Sequence, residues 1–153
     1  MMTYGTKSDK RKRLKGEVFT PPGVVFYMVM NVNEYLPDMR KTFFDPCVGE
    51  GQFPCAELVL KMFYSVDKLN EQNALTILSS IFGMDIQSDN VDQCRANMPN
   101  TFCDAYKYFT GEEISEPTLD KAILTIAHNF QIGDSLEFMK AQVERQQTLI
   151  DWR

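Results

Sequence analysis

The chain has 153 residues, 44% hydrophobic and 24% charged, with a net charge of −5. That suffices for one domain with a real core, and no apolar run approaches the roughly 20 residues that span a bilayer. Lys7, Lys10, Arg11, Lys12, Arg13 and Lys15 against Asp9 give residues 7–15 a charge of +5, leaving −10 on the rest, which excludes a broadly basic nucleic-acid surface.

Residues 1–15 read as a mobile basic arm, either a solvated tail or a contact for phosphates. With no apolar stretch behind its charges, this arm does not read as a secretory signal. One domain is expected over residues 16–153. Thr20-Pro21-Pro22-Gly23 launches a predicted helix over Val24–Tyr35, with Val25, Val29, Val32 and Leu36 on one face and Pro37 stopping it. Thr42–Phe44 reads as a short strand. A helix follows from Gln52 to about Val66, with Ala56, Val59, Leu60 and Phe63 at helical spacing and Pro54 in its first turn. Glu71–Ser79 is a second helical piece. Ile81–Met84 reads as a strand ending at Asp85, and Asn90–Met98 as a helix capped by Ser88 or Asp89. Phe102–Glu116 fits either a helix or a further strand. Leu119–Ala127 reads as a helix, Phe130–Ile132 as a strand, and Ser135–Trp152 as a final helix with Leu136, Met139, Val143 and Leu149 for packing. Strands alternating with helices predict an α/β fold with a parallel sheet of three to four strands.

Cys47, Cys55, Cys94 and Cys103 form no Cys-x-x-Cys pair, and His128 is the only histidine. Neither a structural zinc site nor a disulfide framework is expected. The chain has no Gly-x-Ser-x-Gly and no nucleophile–base pair of a hydrolase triad.

The chemistry concentrates in Phe43-Phe44-Asp45-Pro46-Cys47-Val48-Gly49-Glu50-Gly51-Gln52-Phe53. An apolar pair runs into an acid, and two glycines then open a helix, as where α/β folds hold nucleotide-like ligands. Gly49 and Gly51 let the backbone approach a ligand closely. A dinucleotide fingerprint would need a third glycine where Pro54 stands, and an acid repels phosphate. Asp85 and Asp134 repeat the pattern of an acid after an apolar run and before a helix. In a parallel sheet all such ends share one edge. Three acids there suit a ligand with hydroxyls, an ammonium and an exocyclic amine, the groups that S-adenosylmethionine presents.

These residues resemble the N-terminal part of S-adenosylmethionine-dependent, adenine-specific DNA methyltransferases, the group with type I modification subunits and type IIG enzymes. Gly16-Glu17-Val18-Phe19-Thr20-Pro21 looks like the loop that covers the cofactor's methionine end. Asp45-Pro46-Cys47-Val48-Gly49-Glu50-Gly51-Gln52-Phe53 is similar to the family's Asp-Pro-x-x-Gly-x-Gly-x-Phe cofactor turn. Gly83-Met84-Asp85-Ile86 looks like the next motif, whose acid takes the ribose hydroxyls while Ile86 packs on the adenine. Ile132-Gly133-Asp134-Ser135-Leu136 resembles the third, whose acid accepts from the adenine amine. The resemblance implies a partial Rossmann-like methyltransferase fold, a cofactor site of Phe19, Thr20, Pro21, Asp45, Pro46, Gly49, Gly51, Phe53, Asp85, Ile86 and Asp134, and a cytoplasmic place in a prokaryotic or phage-infected cell.

The family's (Asn/Asp/Ser)-Pro-Pro-(Tyr/Phe) segment, which holds the flipped adenine, has no counterpart after Asp134, and Pro21-Pro22 stands before the cofactor turn without the aromatic. No catalytic residue is therefore assigned. The expectation is a fragment or split subunit of a DNA adenine methyltransferase. A protein partner or C-terminal half would carry the catalytic loop and target recognition, and DNA would be met indirectly or through the arm. A catalytically dead binding module, for example in restriction or anti-restriction, and a small enzyme acting on the cofactor or a smaller substrate stand as alternatives.

Overall fold

The computed structural model describes residues 20–150, with side chains as far as Arg145; the basic arm and Phe19 lie outside the described residues. Helix α1 spans Pro22–Met30, its proline at a position where the missing N–H is not needed. It ends earlier than its pattern predicts. Val32 bonds back to Val29 and the Asn31 side chain takes the Tyr27 carbonyl, so the chain tightens and closes with a 3₁₀ turn at Asn33–Tyr35. Val25, Val29 and Leu36 are buried as expected, but Val32 is exposed.

Strand β1 (Phe43–Asp45) leads through the glycine turn into α2 (Gln52–Tyr64). α3 (Glu71–Leu78) is capped by Asn70, whose side chain accepts from Asn73 N–H, and β2 covers Ile81–Asp85. α4 (Ser88–Thr110) begins after Gln87 without a side-chain cap, so neither Ser88 nor Asp89 holds that place. α5 (Glu116–Asn129), β3 (Phe130–Ile132) and α6 (Ser135–Ile150) complete the described order.

The segment around Phe102 is helix, and the possible fourth strand there does not exist. α4 runs straight through Pro99 and stops at Gly111, which takes the left-handed conformation with φ +76°. An internal proline costs a helix about 3 kcal/mol. Val91, Cys94, Met98, Phe102 and Ala105 continue one buried stripe across it, and that burial outweighs the lost bond.

The three strands are parallel in the order β1-β2-β3. Phe43 pairs with Ile81, Asp45 with Gly83, and Gly83 with Phe130. These residues share the face packed by α2, α4 and α5, where Ile81 and Phe130 are fully buried. Phe44, Phe82, Met84 and Gln131 share the opposite face. Among the described residues that side meets α6, through Phe138 against Phe44 at 5.7 Å between ring centroids. Phe44, Leu136, Phe138, Met139 and Val143 remain exposed. Parallel sheets are normally covered on both faces; this one is well covered on one.

The sequence placed Phe63 on the buried stripe of α2, and it is exposed. The inner surface of that helix is instead Cys55, Leu58 and Met62, with Ala56 turned to α1. Two charged residues also point inward. Lys61 is fully buried, its ammonium donating to the carbonyls of Met39 (3.3 Å) and Lys41 (2.7 Å) and to Ser80 Oγ (2.5 Å), and lying 5.1 Å from the Phe43 ring centroid. One turn earlier, Glu57 is 9% exposed and its Oε2 is buried without a hydrogen-bond partner.

Candidate functional site at the strand ends

The turn after β1 is built by close approach. Gly51 has φ +92°, and a Cβ there would stand 2.9 Å from Cys94 Sγ on α4. Gly49 has φ +54°. Only glycine takes such angles without strain. The Val48 N–H donates to the Met84 carbonyl (3.0 Å), laying the turn across β2. Gly83 makes room for it, since a Cβ at that position would meet Val48 Cγ2 at 2.7 Å. Asn97 Nδ2 donates to the Glu50 carbonyl (2.9 Å) and ties the turn to α4.

Asp85 organises this turn from the end of β2. Its Oδ2 accepts from the Gly49 N–H (2.9 Å) and Asn90 Nδ2 (3.3 Å), and its Oδ1 from the Gln87 N–H (2.8 Å). A carboxylate offers about four acceptor positions, so Asp85 keeps capacity for one further donor. Asp45 is held differently. Its Oδ1 accepts from the Cys47 N–H (3.0 Å), while its Oδ2 is buried with no partner. Burial holds the Asp45 carboxyl above its ordinary range, the Cys47 N–H opposes that rise, and Asp85 adds to it. An unpaired carboxylate oxygen beside a second acid is stabilised by a donor or a positive charge. Asp134 caps α6, its Oδ1 accepting from the Leu136 (2.9 Å) and Glu137 (3.3 Å) N–H groups, and the residue is exposed.

The three acids therefore stand at the carboxyl ends of three adjacent parallel strands. Beside them opens a cleft of about 380 Å³ lined by Pro46, Cys47, Asp85, Ile86 and Asp134, with Ser135, Leu136 and Met139 at the start of α6. Its size falls in the usual range for small-molecule sites. Of the residues expected from the sequence, Pro46, Asp85, Ile86 and Asp134 line it directly. Asp45 does not line it and immediately precedes the lining residues Pro46 and Cys47 in the chain. Gly49 and Gly51 shape the turn, and Phe53 packs with Phe43 and Leu60 against the cluster of Val25, Val29 and Leu36. Thr20 and the N-cap residue Pro21 lead into α1 and are not among the lining residues.

Sequence reasoning missed Cys47, Ser135, Leu136 and Met139 as walls of the cleft. It also missed the bond from Gly49 to Asp85, which no local pattern announces. The buried Glu57 and Lys61 had one signal, a charged pair four residues apart inside an apolar helix. Burial pushes the Glu57 carboxyl up to about 8; Asp45 reinforces this and Lys61 opposes it. Lys61 is drawn down to about 8, again by burial first, against the pull of Glu57 and Asp38.

The family profile described as N-6 DNA Methylase matches residues 2–128. The chain belongs to that family. The matched span takes in the glycine turn and the ends of β1 and β2, and Asp134 lies beyond it. Members of the N-6 DNA methylase family are generally S-adenosylmethionine-dependent methyltransferases. No curated protein and no solved structure matches the chain. Among the described residues no helix is long and apolar enough to cross a membrane.

The residues at the strand ends fit the family's cofactor. The buried, unpaired Oδ2 of Asp45 calls for a donor, Asp85 has an acceptor position left, and Asp134 is open to solvent beside the cleft. Such carboxylates match an ammonium, hydroxyls and an amine.

Proposed function

We propose that this chain is the cofactor-binding portion of an adenine-specific DNA methyltransferase akin to type I modification subunits and type IIG enzymes. When bound, S-adenosylmethionine supplies an activated methyl group for the exocyclic amine of adenine. The chain's own residues hold and orient that donor. Asp45, Gly49 and Gly51 take the methionine end, with Pro46 over it and Phe53 bracing the turn from the core. Phe19, Thr20 and Pro21 form the covering loop. Asp85 takes the ribose hydroxyls, Ile86 the adenine face, and Asp134 the adenine amine. The observation that carries this reading is the alignment of Asp45, Asp85 and Asp134 at the carboxyl ends of three adjacent parallel strands, with Asp85 and Asp134 lining the cleft and Asp45 next in the chain to its lining residue Pro46.

A partner chain or further segment supplies the loop that holds the flipped adenine, and the target-reading surface. The half-covered parallel sheet supports this. β1 has a free edge among the described residues, and Phe44, Phe138 and Met139 offer an apolar face beside it. Exposed edges invite strand addition.

Calorimetric titration with S-adenosylmethionine tests the reading. Wild type is expected to bind, and Asp45→Asn, which preserves the shape of the turn, to bind at least about tenfold more weakly, a loss of about 1.4 kcal/mol. A folded wild-type chain that takes up no cofactor would refute the assignment.

A further inference from the structure

Helix α1 is apolar on all sides, yet Val25 and Val29 are its only buried residues. A helix of that kind normally lies inside a protein. From Thr20 to Asn33 there is no charged side chain. Tyr27 points directly away from the core at 71% exposure.

The apolar surface does not stop at the helix. Met30 Sδ lies 4.0 Å from Tyr64 Oη. Tyr64 stacks edge-on with Phe63 at 5.4 Å, Phe63 meets Phe109 at 6.1 Å, and Phe109 meets Tyr108 at 5.1 Å. One aromatic strip thus runs from α1 across the end of α2 to the end of α4. Phe63 is 53% and Tyr108 82% exposed. At about 150–250 Å² per aromatic side chain, Tyr27, Phe63 and Tyr108 alone leave on the order of 400 Å² open. The rest of α1 and Tyr64 bring the strip towards the ~800 Å² that each partner of a stable complex contributes. Isolated monomers seldom carry patches of that extent.

We propose that this strip is the interface of a symmetric homodimer, with α1 packed against α1 of a second copy. A two-fold contact brings each patch onto itself. That is penalised where the patch is charged, and α1 has no charge to repel its own image. Aromatic and methionine enrichment with few charges is the composition of an interface centre. The chain's own residues 1–15 are a poor cover, because they carry six basic side chains and one acid.

Sedimentation equilibrium of the full chain over a range of concentrations is the test. The expected result is reversible association to twice the 17.6 kDa chain mass. Tyr27→Lys should shift the dissociation constant at least about a hundredfold, while its melting temperature matches wild type at concentrations where both are monomeric, since Tyr27 is 71% exposed and contributes little to the core. Phe44→Lys, on the open sheet face, should leave association intact. A wild-type chain that stays monomeric throughout would overturn the proposal. So would a dimer that tolerates Tyr27→Lys and is broken by Phe44→Lys, which would put the interface on the sheet.

Discussion

Replacing Glu57 by glutamine should stabilise this protein, and more so as the pH rises. The Glu57 carboxyl is held at about 8 in the fold against an ordinary value of 4.5, because it is buried and faces Asp45. Between those values the folded chain keeps a proton that the unfolded chain has released. Stability therefore falls as pH climbs through that window, the contribution being complete below about 4.5 and lost by about 8. At about 1.36 kcal/mol per unit, the penalty at pH 7 is on the order of 3 kcal/mol. Glutamine has the same shape and does not titrate. Lys61 remains protonated in both states below about 8, so it does not tilt this window. Asp45 tilts in the same direction as Glu57, which makes the difference between the wild-type and Glu57→Gln curves the proper readout. Urea unfolding at about pH 5, 6 and 7 should show the two midpoints diverging with pH. The gap at about pH 7 should reach about 1–2 M for an m-value of about 2 kcal/mol per molar. Curves that stay parallel would show that Glu57 is ionised in the fold and that the burial argument is wrong.

Two further substitutions probe the turn. Gly51→Ala combines a left-handed backbone with a Cβ 2.9 Å from Cys94 Sγ; it should cost at least about 2 kcal/mol and lower the melting temperature by about 5–8 °C. Gly23→Ala, with nothing within 4 Å, should change it by no more than about 1–2 °C. Asp85→Ala removes the carboxylate that accepts from the Gly49 N–H, the Gln87 N–H and Asn90 Nδ2. A loss of about 2–3 kcal/mol is expected, with faster hydrogen exchange at Gly49 as the local signature.

Where each element begins was largely legible in the residues. The Asp45-Pro46 turn with Gly49 and Gly51 declares itself because positive φ and close approach demand glycine, and those demands act within a few residues. The acids at 45, 85 and 134 follow apolar runs for the same local reason. What the residues alone left open depends on long-range burial. The stripe from Cys94 to Ala105 carries α4 through Pro99 only because α2 and the sheet are there to bury it. Phe63 faces solvent because Leu58 and Met62 win the inner side of α2. The use of Asp85 as the clamp on Gly49 arises from the adjacency of two strand ends. Backbone preferences are set by near neighbours and can be read in order along the chain. Burial, and the electrostatic effect of Asp45 on Glu57, exist only once separate segments have met.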